Sequence, residues 1–416
     1  MRERLVVVGN GMAAGRAMER LRAVAPDRYD IVVFNAEPRV NYDRIMLSPV
    51  LAGEKSFGDI VIHSDDWYAE HRITLHKGCP VTAIDRDART VTGANGIVET
   101  YDKLIIATGS GPLIIPVPGR DLPGVVTFRD LDDVEAMRRA AATGGKAIVI
   151  GGGLLGLEAA AGLRRQGMDV SVVHLMPTLM ERQLDAAAGN LLARELETRG
   201  ITVLTGANTK QVLGETKVTG LELADGRVLP ADLVVMAVGI RPNTALAKAS
   251  GLTVNRGIVT DATMQTSDPD IFALGECAET DGQCFGLVAP LYDMAEVVAA
   301  RLAGDDTARF VPAVTATRLK VTGINLYSAG DFQSGDDREE IVLRDDAAGI
   351  YKRLILRNDR VIGTVLYGET GDGPWFFEML QAETGTQQFR DTLIFGRAYE
   401  TSAKLEAYGG RCSVAG

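Results

Sequence analysis

Two stretches of the chain repeat one order of apolar strand, glycine-rich turn and amphipathic helix. In the stretch 4–37, Leu5–Val8 is apolar and a glycine follows; in the stretch 146–175, Ala147–Ile150 precedes three glycines. Each stretch spans about 30 residues, the length of one β-α-β unit. Strands this uniformly apolar are typical of parallel sheets that are covered on both faces. The pattern therefore predicts two parallel-sheet domains.

Shorter elements follow each of these units. Segments 90–92 and 99–107 are strand-like, whereas 130–142, 184–199 and 292–302 have helical periodicity. The alternation of strands and helices favours an α/β fold over an all-β or all-α one.

The pattern changes after a polar, linker-like stretch at 305–312. Short β-rich runs separated by Gly, Asp and Asn predict a small antiparallel sheet; they are 318–328, 340–343, 351–357 and 360–367. A helix is predicted at 378–383, and we expect the aromatic triplet Trp375-Phe376-Phe377 to pack in a core or a dimer contact. Residues 404–416 are expected to form a tail.

The composition argues against several kinds of partner. Lys and Arg number 44 against 55 Asp and Glu, which gives a net charge of −11. Nucleic acids and anionic membranes attract basic surfaces, so neither is an expected partner. The N-terminal apolar run is too short for a signal peptide, and no stretch approaches the roughly 20 apolar residues of a spanning helix. We expect a cytoplasmic protein.

The cysteines and histidines do not form a recognisable chemical motif. The four cysteines are widely scattered: Cys79, Cys277, Cys284 and Cys412. Without a Cys-x-x-Cys pair, neither a redox disulfide nor a zinc or iron–sulfur clasp is expected. His63, His71 and His76 are near one another in sequence, but we expect no metal site there.

The first glycine turn predicts a dinucleotide site. Gly9-Asn10-Gly11-Met12-Ala13-Ala14 fits the pattern G-x-G-x-x-A directly after an apolar strand. Glycines allow a tight turn and a close approach to a pyrophosphate, while the next helix points its amide-rich N-terminus at the anion. Glu37 follows the second strand, where an acid accepts hydrogen bonds from ribose hydroxyls.

The second glycine turn repeats the fingerprint more fully. Gly151-Gly152-Gly153-Leu154-Leu155-Gly156 fits G-x-G-x-x-G between a strand and a helix. Two fingerprints in one chain predict two bound dinucleotides. His174 ends the second strand here, where NAD sites usually carry an acid, and Arg182 further on is a candidate for a 2′-phosphate. NADH is favoured, and NADPH stays open.

Several further motifs resemble one known family. Tyr101–Ser110, Thr266–Glu276 and Ala237–Asn243 resemble the flavin-side and return segments of the pyridine nucleotide–disulfide oxidoreductase fold family. Within it, Val172–Asp185 most resembles the FAD module of assimilatory NAD(P)H nitrite reductase large subunits. Ferredoxin and rubredoxin reductases are more distant relatives. The similarity extends over nearly the whole chain.

The resemblance implies a role for individual residues. Glu158 matches a glutamate near the nicotinamide, and Lys320 is a candidate for approaching the flavin; we take these two as catalytic. The remaining residues are expected to contact a cofactor: Gly9, Gly11, Met12, Ala13, Ala14, Glu37, Arg44, Val81, Ala107, Thr108, Gly109, Arg129 and Gly239, with Gly275 and Glu276, for FAD, and Gly151, Gly153, Leu154, Leu155, Gly156 and His174 for NAD(P)H. Glu276 stands where the family more often has Asp.

The resemblance also implies an architecture. It predicts two Rossmann-like dinucleotide-binding domains, the second inserted in the first, plus a small C-terminal α+β domain. The FAD-binding domain is expected at 1–113 and 239–311, the NAD(P)-binding domain at 114–238 and the C-terminal interface domain at 312–416.

The implied activity is electron transfer from NAD(P)H through FAD to a redox partner. The loop that contains Asn41-Tyr42-Asp43-Arg44 and Leu47-Ser48 lacks the redox cysteine of some family members, so electrons are expected to leave the flavin directly. The partner is expected to be an iron–sulfur or a sirohaem or molybdenum protein of nitrate or nitrite assimilation, and a homodimer stays open. Two alternatives remain: a ferredoxin or rubredoxin reductase of another pathway, and a non-catalytic flavin redox sensor.

Overall fold

The chain forms two compact units in a computed structural model, which describes residues 2–313, 316–318 and 323–399. The first unit is built from Met1–Leu113, Arg129–Glu135 and Gly239–Ala313. The second comprises the described residues of Ile114–Phe128, Ala136–Val238 and Val314–Gly416. Each unit is therefore assembled from separate stretches of the chain.

The described residues contain nine α-helices and 27 strands, besides four short 3₁₀ turns. The helices are α1 (Met12–Val24), α2 (Leu47–Leu51), α3 (Asp65–Glu70), α4 (Leu131–Ala142), α5 (Leu154–Arg165), α6 (Ala186–Thr198), α7 (Ala245–Ala249), α8 (Val288–Ala303) and α9 (Gly373–Gln381). The strands are β1 (Glu3–Val8), β2 (Tyr29–Phe34), β3 (Asn41–Tyr42), β4 (Val61–His63), β5 (Ile73–His76), β6 (Val81–Asp85), β7 (Thr90–Gly93), β8 (Val98–Thr100), β9 (Lys103–Ile106), β10 (Ser110–Pro112), β11 (Val125–Thr127), β12 (Lys146–Ile150), β13 (Asp169–Val173), β14 (Ile201–Leu204), β15 (Thr209–Leu213), β16 (Gly220–Leu223), β17 (Val228–Pro230), β18 (Leu233–Met236), β19 (Ile240–Pro242), β20 (Ile258–Thr260), β21 (Ile271–Ala273), β22 (Ala278–Thr280), β23 (Ala316–Arg318), β24 (Leu326–Gly330), β25 (Glu339–Asp345), β26 (Ile350–Arg357) and β27 (Arg360–Tyr367).

A five-stranded parallel sheet forms the centre of the first unit. Its strand order is β21-β9-β1-β2-β5, and every neighbouring pair is parallel. Because the chain passes from β1 to β2 on one side and to β9 on the other, the order reverses at β1. The first glycine turn leaves β1 at this reversal, where ligands of open parallel sheets bind.

The second unit contains a sheet of the same design. Its order is β11-β18-β12-β13-β14, again parallel throughout, and it reverses at β12. The side chains of Ile148, Val172 and Val234 are buried within it. The second glycine turn leaves β12, so each glycine motif lies at the reversal point of its own sheet.

A five-stranded antiparallel sheet follows in the second unit, in the order β23-β24-β27-β26-β25. Helix α9 covers it, with Trp375 and Phe376 in the buried cluster beneath. The aromatic triplet is thus inside a helix that begins five residues before the predicted one. The Gly-Pro pair at 373–374 is typical of a turn, which is why the sequence predicts a later start. Pro374 lies in the first turn of the helix, where the missing amide hydrogen would have no intrahelical partner.

The fold class expected from the sequence is confirmed: two Rossmann-like parallel sheets and a C-terminal antiparallel sheet with a helix. Helix α8 also begins earlier than predicted, at Val288, because Pro290 is tolerated in its first turn. The predicted strand 318–328 is instead divided between β23 and β24. Within the described residues, no helix combines the length and apolar character that crossing a membrane requires.

Candidate functional site

The first glycine turn is shaped by close backbone contacts. Gly9 has a φ of +109°, and a Cβ there would lie 2.1 Å from the carbonyl oxygen of Ala107. The Gly9 amide donates to the carbonyl of Phe34 at 2.8 Å. Any other residue at position 9 would push β1 and β9 apart, so this glycine is required by the turn itself.

Gly11 differs because its surroundings are open. A Cβ at Gly11 would meet no atom within 4 Å, and the backbone there is extended, with a φ of −76°. Gly11 caps α1 without a side-chain hydrogen bond, and the first turn of α1 holds no acid. The free amides of this helix end therefore face a space that an anion fits.

Asn10, between the two glycines, is a polar group with an unused donor. Its side chain is buried, its Oδ1 accepts from the Tyr68 hydroxyl at 2.8 Å, and the Asn41 amide group donates to its backbone carbonyl at 2.8 Å. Within the described residues, Asn10 Nδ2 has no hydrogen-bond partner. A buried donor without a partner is costly, which fits a site whose acceptor arrives with a ligand.

Glu37 accepts two hydrogen bonds after β2. The Tyr42 hydroxyl donates to Glu37 at 2.8 Å, and the Arg44 guanidinium forms an ion pair with the same carboxylate. Burial by itself would lower the pKa of Arg44, but Tyr42 and Glu37 outweigh it and raise that pKa. Arg44 also donates to the backbone carbonyl of Arg129 at 3.1 Å. Two residues expected at the FAD site are thus in direct contact.

Arg129 and Glu276 form a second ion pair in the first unit. The Ser110 hydroxyl donates to the same Glu276 oxygen at 2.9 Å, and Arg129 Nε donates to the Ser110 carbonyl at 3.1 Å. Gly275, with a φ of +84°, places Glu276 in the 3₁₀ turn that follows β21. Two predicted FAD residues, Arg129 and Glu276, are therefore in direct contact, and both bind Ser110.

The remaining FAD candidates lie in the same unit. The Thr108 hydroxyl donates to the Asn243 carbonyl at 2.8 Å, and the Asn243 amide group donates back to the Thr108 carbonyl at 2.9 Å. Gly109 and Gly239 both have positive φ, and Cβ atoms there would meet no atom closer than 4.0 Å. Val81 begins β6.

The second glycine turn repeats this division between structural and open glycines. A Cβ at Gly151 would lie 2.2 Å from the Ala237 carbonyl oxygen, and one at Gly156 would lie 2.0 Å from the Gly151 carbonyl oxygen. Gly156 therefore lets α5 pack closely on the turn. Gly153 faces open space and caps α5 with no side-chain bond. The open helix end again fits a pyrophosphate.

His174 contacts the second glycine turn directly. The Gly152 amide donates to His174 Nδ1 at 3.0 Å, and His174 Nε2 lies 3.0 Å from a carboxylate oxygen of Glu181. Glu158, on α5, is half-buried. Arg182 lines a cavity of about 930 Å³ that also includes Arg357 and Arg360. Lys320 lies outside the described residues.

The histidines near α3 form an aromatic stack. Trp67 stacks on His63, with ring centroids 3.9 Å apart, and on His71, with centroids 4.4 Å apart. In the described part of the chain, His, Cys, Asp and Glu side chains do not group in threes as a metal ion would require.

The sequence alone did not single out four residues at these sites. Asn10 occupies a variable position of the fingerprint, Tyr42 lies outside the fingerprint and five residues beyond Glu37, and Tyr68 is distant in the chain. Glu181 lies seven residues beyond His174, in an irregular loop. One sequence signal points to Glu181: the end of β13 carries no acid, and Glu181 is an acid in the loop that follows.

Comparisons with known proteins identify the family of the chain. Residues 3–303 match the sequence model of the pyridine nucleotide-disulphide oxidoreductase family, and residues 316–384 match the rubredoxin NAD+ reductase C-terminal domain. A nitrite reductase [NAD(P)H] of Bacillus subtilis is 49% identical over 92% of this chain and 48% of its own length. An assimilatory nitrate reductase electron transfer subunit of the same organism is 44% identical over 89% of this chain and 48% of its own length.

A solved structure extends the likeness to the fold. A ferredoxin reductase from Rhodopseudomonas palustris superposes with a TM-score of 0.86 at 27% identity, covering 97% of this chain and 100% of that one. The chain spans about half the length of the two Bacillus relatives. Since the family match covers well over half of the residues, this chain belongs to the pyridine nucleotide-disulphide oxidoreductase family.

Proposed function

We propose that the chain is an FAD-dependent NAD(P)H oxidoreductase that passes electrons to a redox partner in nitrate or nitrite assimilation. One observation carries the proposal: two parallel sheets in a single chain each present an open glycine, Gly11 or Gly153, at an uncapped helix N-terminus. Each opening suits one diphosphate. The names of the two Bacillus relatives supply the pathway.

In this proposal FAD is held by the first unit. The α1 amides and Gly11 take the pyrophosphate, Glu37 takes the ribose hydroxyls and Asn10 Nδ2 supplies a donor. Arg129 and Glu276 bind and orient the flavin-bearing end. The FAD-binding domain is then 1–113 and 239–311, the NAD(P)-binding domain is 114–238 and the C-terminal interface domain is 312–416.

NADH is the proposed electron donor and binds at α5. Gly153, Leu154 and Leu155 would line the pyrophosphate with backbone amides. Gly156 holds the helix against the turn, and Glu158 would orient the nicotinamide. No carboxylate ends β13, yet Glu181 reaches His174 beside the turn. This acid favours NADH over a doubly charged 2′-phosphate.

Bound FAD would supply the chemistry, since it accepts a hydride from a nicotinamide and delivers electrons singly to a one-electron carrier. The protein's part is to bind, orient and exclude water. Cys79, Cys277 and Cys284 are free thiols within the described residues. Burial raises the pKa of the Cys277 thiol, which keeps it in its unreactive neutral form. These features support direct electron transfer from flavin to partner, without a protein disulfide.

The partner we propose is an iron–sulfur centre or the sirohaem or molybdenum protein of the same pathway. The rubredoxin reductase-type C-terminal domain supports an iron–sulfur acceptor. The same match, with the ferredoxin reductase likeness, favours a second candidate: a ferredoxin or rubredoxin reductase of another pathway. A cytoplasmic location completes the proposal.

A partner-reduction assay tests the proposal. The purified holoprotein, given NADH, should reduce the cognate nitrate or nitrite reductase faster than a ferredoxin or a rubredoxin. Faster reduction of ferredoxin or rubredoxin would favour the second candidate. Flavin that NADH leaves oxidised under anaerobic conditions would contradict both and favour a redox sensor. Gly153→Ala serves as the control that should lower every rate together.

A further inference from the structure

We propose that Glu181 is the specificity-determining residue that selects NADH over NADPH, and that His174 is the residue that positions it. This inference rests on the proposed nucleotide site at α5. It assigns the acid that the end of β13 lacks to a residue of the following loop.

The end of β13 lacks the acid that is usual in NAD sites. In dinucleotide-binding sheets, an acid at the end of the second strand usually accepts hydrogen bonds from the ribose hydroxyls, whereas an arginine nearby admits a 2′-phosphate. Here Val173 ends the strand and His174 follows. A histidine has neither a carboxylate for the ribose hydroxyls nor a guanidinium for a 2′-phosphate. Selection between NADH and NADPH therefore depends on the residue that His174 contacts.

The hydrogen bonds of His174 assign its tautomer. The Gly152 amide can only donate, so His174 Nδ1 accepts that bond and carries no hydrogen. In the neutral ring the hydrogen is then on Nε2, which points at Glu181 Oε2 across 3.0 Å. The imidazole therefore donates to the carboxylate and fixes its position relative to the glycine turn.

The loop itself is tied to the glycine turn. The Met180 amide donates to the Gly152 carbonyl at 3.0 Å. A Cβ at Gly152 would lie 2.6 Å from Leu179 and 2.7 Å from the ring of His174. Glycine at 152 is thus required for the loop to close on the turn, and Glu181 follows Met180 directly. The carboxylate is held beside the turn by two independent contacts.

The far end of the loop is also anchored. The Tyr351 hydroxyl donates to Asp185 Oδ2 at 2.5 Å, and Arg353 lies 3.3 Å from the same oxygen. Asp185 also caps α6 by accepting from the Ala188 amide. A loop fixed at both ends holds Glu181 in one place, as selection requires.

The carboxylate of Glu181 is available to a ligand. Its side chain is 30% exposed, and within the described residues His174 is its one bonded partner. A ribose 2′-hydroxyl can donate to it, whereas a 2′-phosphate brings up to two negative charges against it. Arg182, the neighbouring cation in sequence, lines the cavity with Arg357 and Arg360, so its charge is grouped with theirs.

Equilibrium binding of two fragments to the holoprotein tests the inference without turnover. The probes are ADP-ribose and its 2′-phosphorylated form, followed by calorimetry. Wild type should bind ADP-ribose about tenfold or more tightly than the phosphorylated probe, a difference of about 1.4 kcal/mol or more. Glu181→Gln should bring the two affinities to within about threefold, and Glu181→Arg should invert the preference.

Three further variants separate a loss of specificity from a general structural defect. Glu215→Gln makes the same change on an exposed turn of the second unit and should leave the ratio unchanged. His174→Leu should lower the ratio and His174→Gln, which keeps an acceptor and a donor, should restore part of it; a merely structural defect would weaken both probes alike. An unchanged ratio in Glu181→Gln would overturn the inference. Failure of wild type to bind either probe would instead overturn the proposed nucleotide site.

Discussion

Arg129 and Glu276 form an ion pair in the first unit although they are 147 positions apart in the chain. Their side chains are 17% and 13% exposed, so both charges are largely withdrawn from water. The Ser110 hydroxyl satisfies the same carboxylate oxygen. This arrangement connects the segment before α4 with the 3₁₀ turn after β21, and both residues were expected at the FAD site from sequence.

Arg129→Ala should therefore affect stability and flavin binding together. It leaves a largely buried carboxylate without its cation, which should lower the free energy of unfolding by about 2 kcal/mol, below the cost for a fully buried pair. Flavin affinity should fall by about tenfold or more. Urea unfolding and flavin release on dilution measure the two effects.

Arg28→Ala is the control, because it breaks an exposed ion pair with Glu3. It should lower the free energy of unfolding by less than about 1 kcal/mol, with flavin retained. Equal losses in both variants would contradict the role given to the pair.

Alanine at the two open glycines should separate the two sites. Gly11→Ala and Gly153→Ala place a methyl group where no protein atom lies within 4 Å and where the backbone φ is negative, so both variants should fold normally. The methyl group would occupy the space proposed for a pyrophosphate. Gly11→Ala should lose FAD, while Gly153→Ala should keep FAD and bind NADH at least about tenfold more weakly.

Flavin absorbance and NADH titration read out this pair of variants. Gly371→Ala is the matched control, because its Cβ also meets open space, outside both turns. Retention of flavin by Gly11→Ala at the wild-type level, or loss of the same ligand by both variants, would contradict the assignment of one nucleotide to each glycine turn.

Asp185 should stabilise the second unit through three partners. Asp185→Ala removes the α6 cap and the partner of Tyr351 and Arg353, which should lower the free energy of unfolding by about 2–4 kcal/mol. Asp185→Asn keeps a capping oxygen, so it should cost about half as much. Differential scanning calorimetry of both variants tests the order; an Asn variant as unstable as the Ala variant would contradict it.

His63 should make stability depend on pH. Burial, chiefly, lowers the pKa of His63 below its usual 6.5, with His71 adding to the effect and Glu19 opposing it. The folded state then binds fewer protons than the unfolded one, so this contribution is complete above about pH 6.5 and is lost as the pH falls through the folded pKa. Wild type should lose up to about 1.4 kcal/mol per pH unit below pH 6.5.

Urea unfolding between pH 7.5 and about 5 measures this loss. His63→Phe keeps a ring against Trp67, and its free energy of unfolding should decline less steeply as the pH falls. His71→Phe changes the other ring stacked on Trp67 and should keep most of the wild-type decline. A slope unchanged by His63→Phe would refute the assignment.

The sequence predicted the parts of the fold that depend on local chemistry. Gly9 and Gly151 have positive φ, and a Cβ at either position would collide with a backbone carbonyl at the end of a neighbouring strand. Because only glycine meets both conditions, the requirement is visible in the sequence as a glycine fingerprint after an apolar run. The starts of α8 and α9 were placed too late because Pro290 and Pro374 resemble helix breakers, although a first turn tolerates proline.

Side-chain partners were less predictable than elements. The bond from Tyr68 to Asn10 spans 58 positions, so no local pattern reveals it. The contact of His174 with Glu181 spans only seven positions, but it depends on Met180 adopting a φ of +52°. A methionine in an irregular loop gives no sequence signal for this left-handed conformation. Both depend on tertiary packing that fixes an irregular backbone.

Flavin content, with its response to NADH, shows whether one chain holds both a flavin and a nicotinamide nucleotide. The recombinant protein should be purified, its absorption spectrum recorded and its released cofactor identified before anaerobic NADH is added. We expect a yellow protein that carries FAD in stoichiometric amount and bleaches with NADH. A colourless protein that takes up no FAD on reconstitution would contradict this expectation.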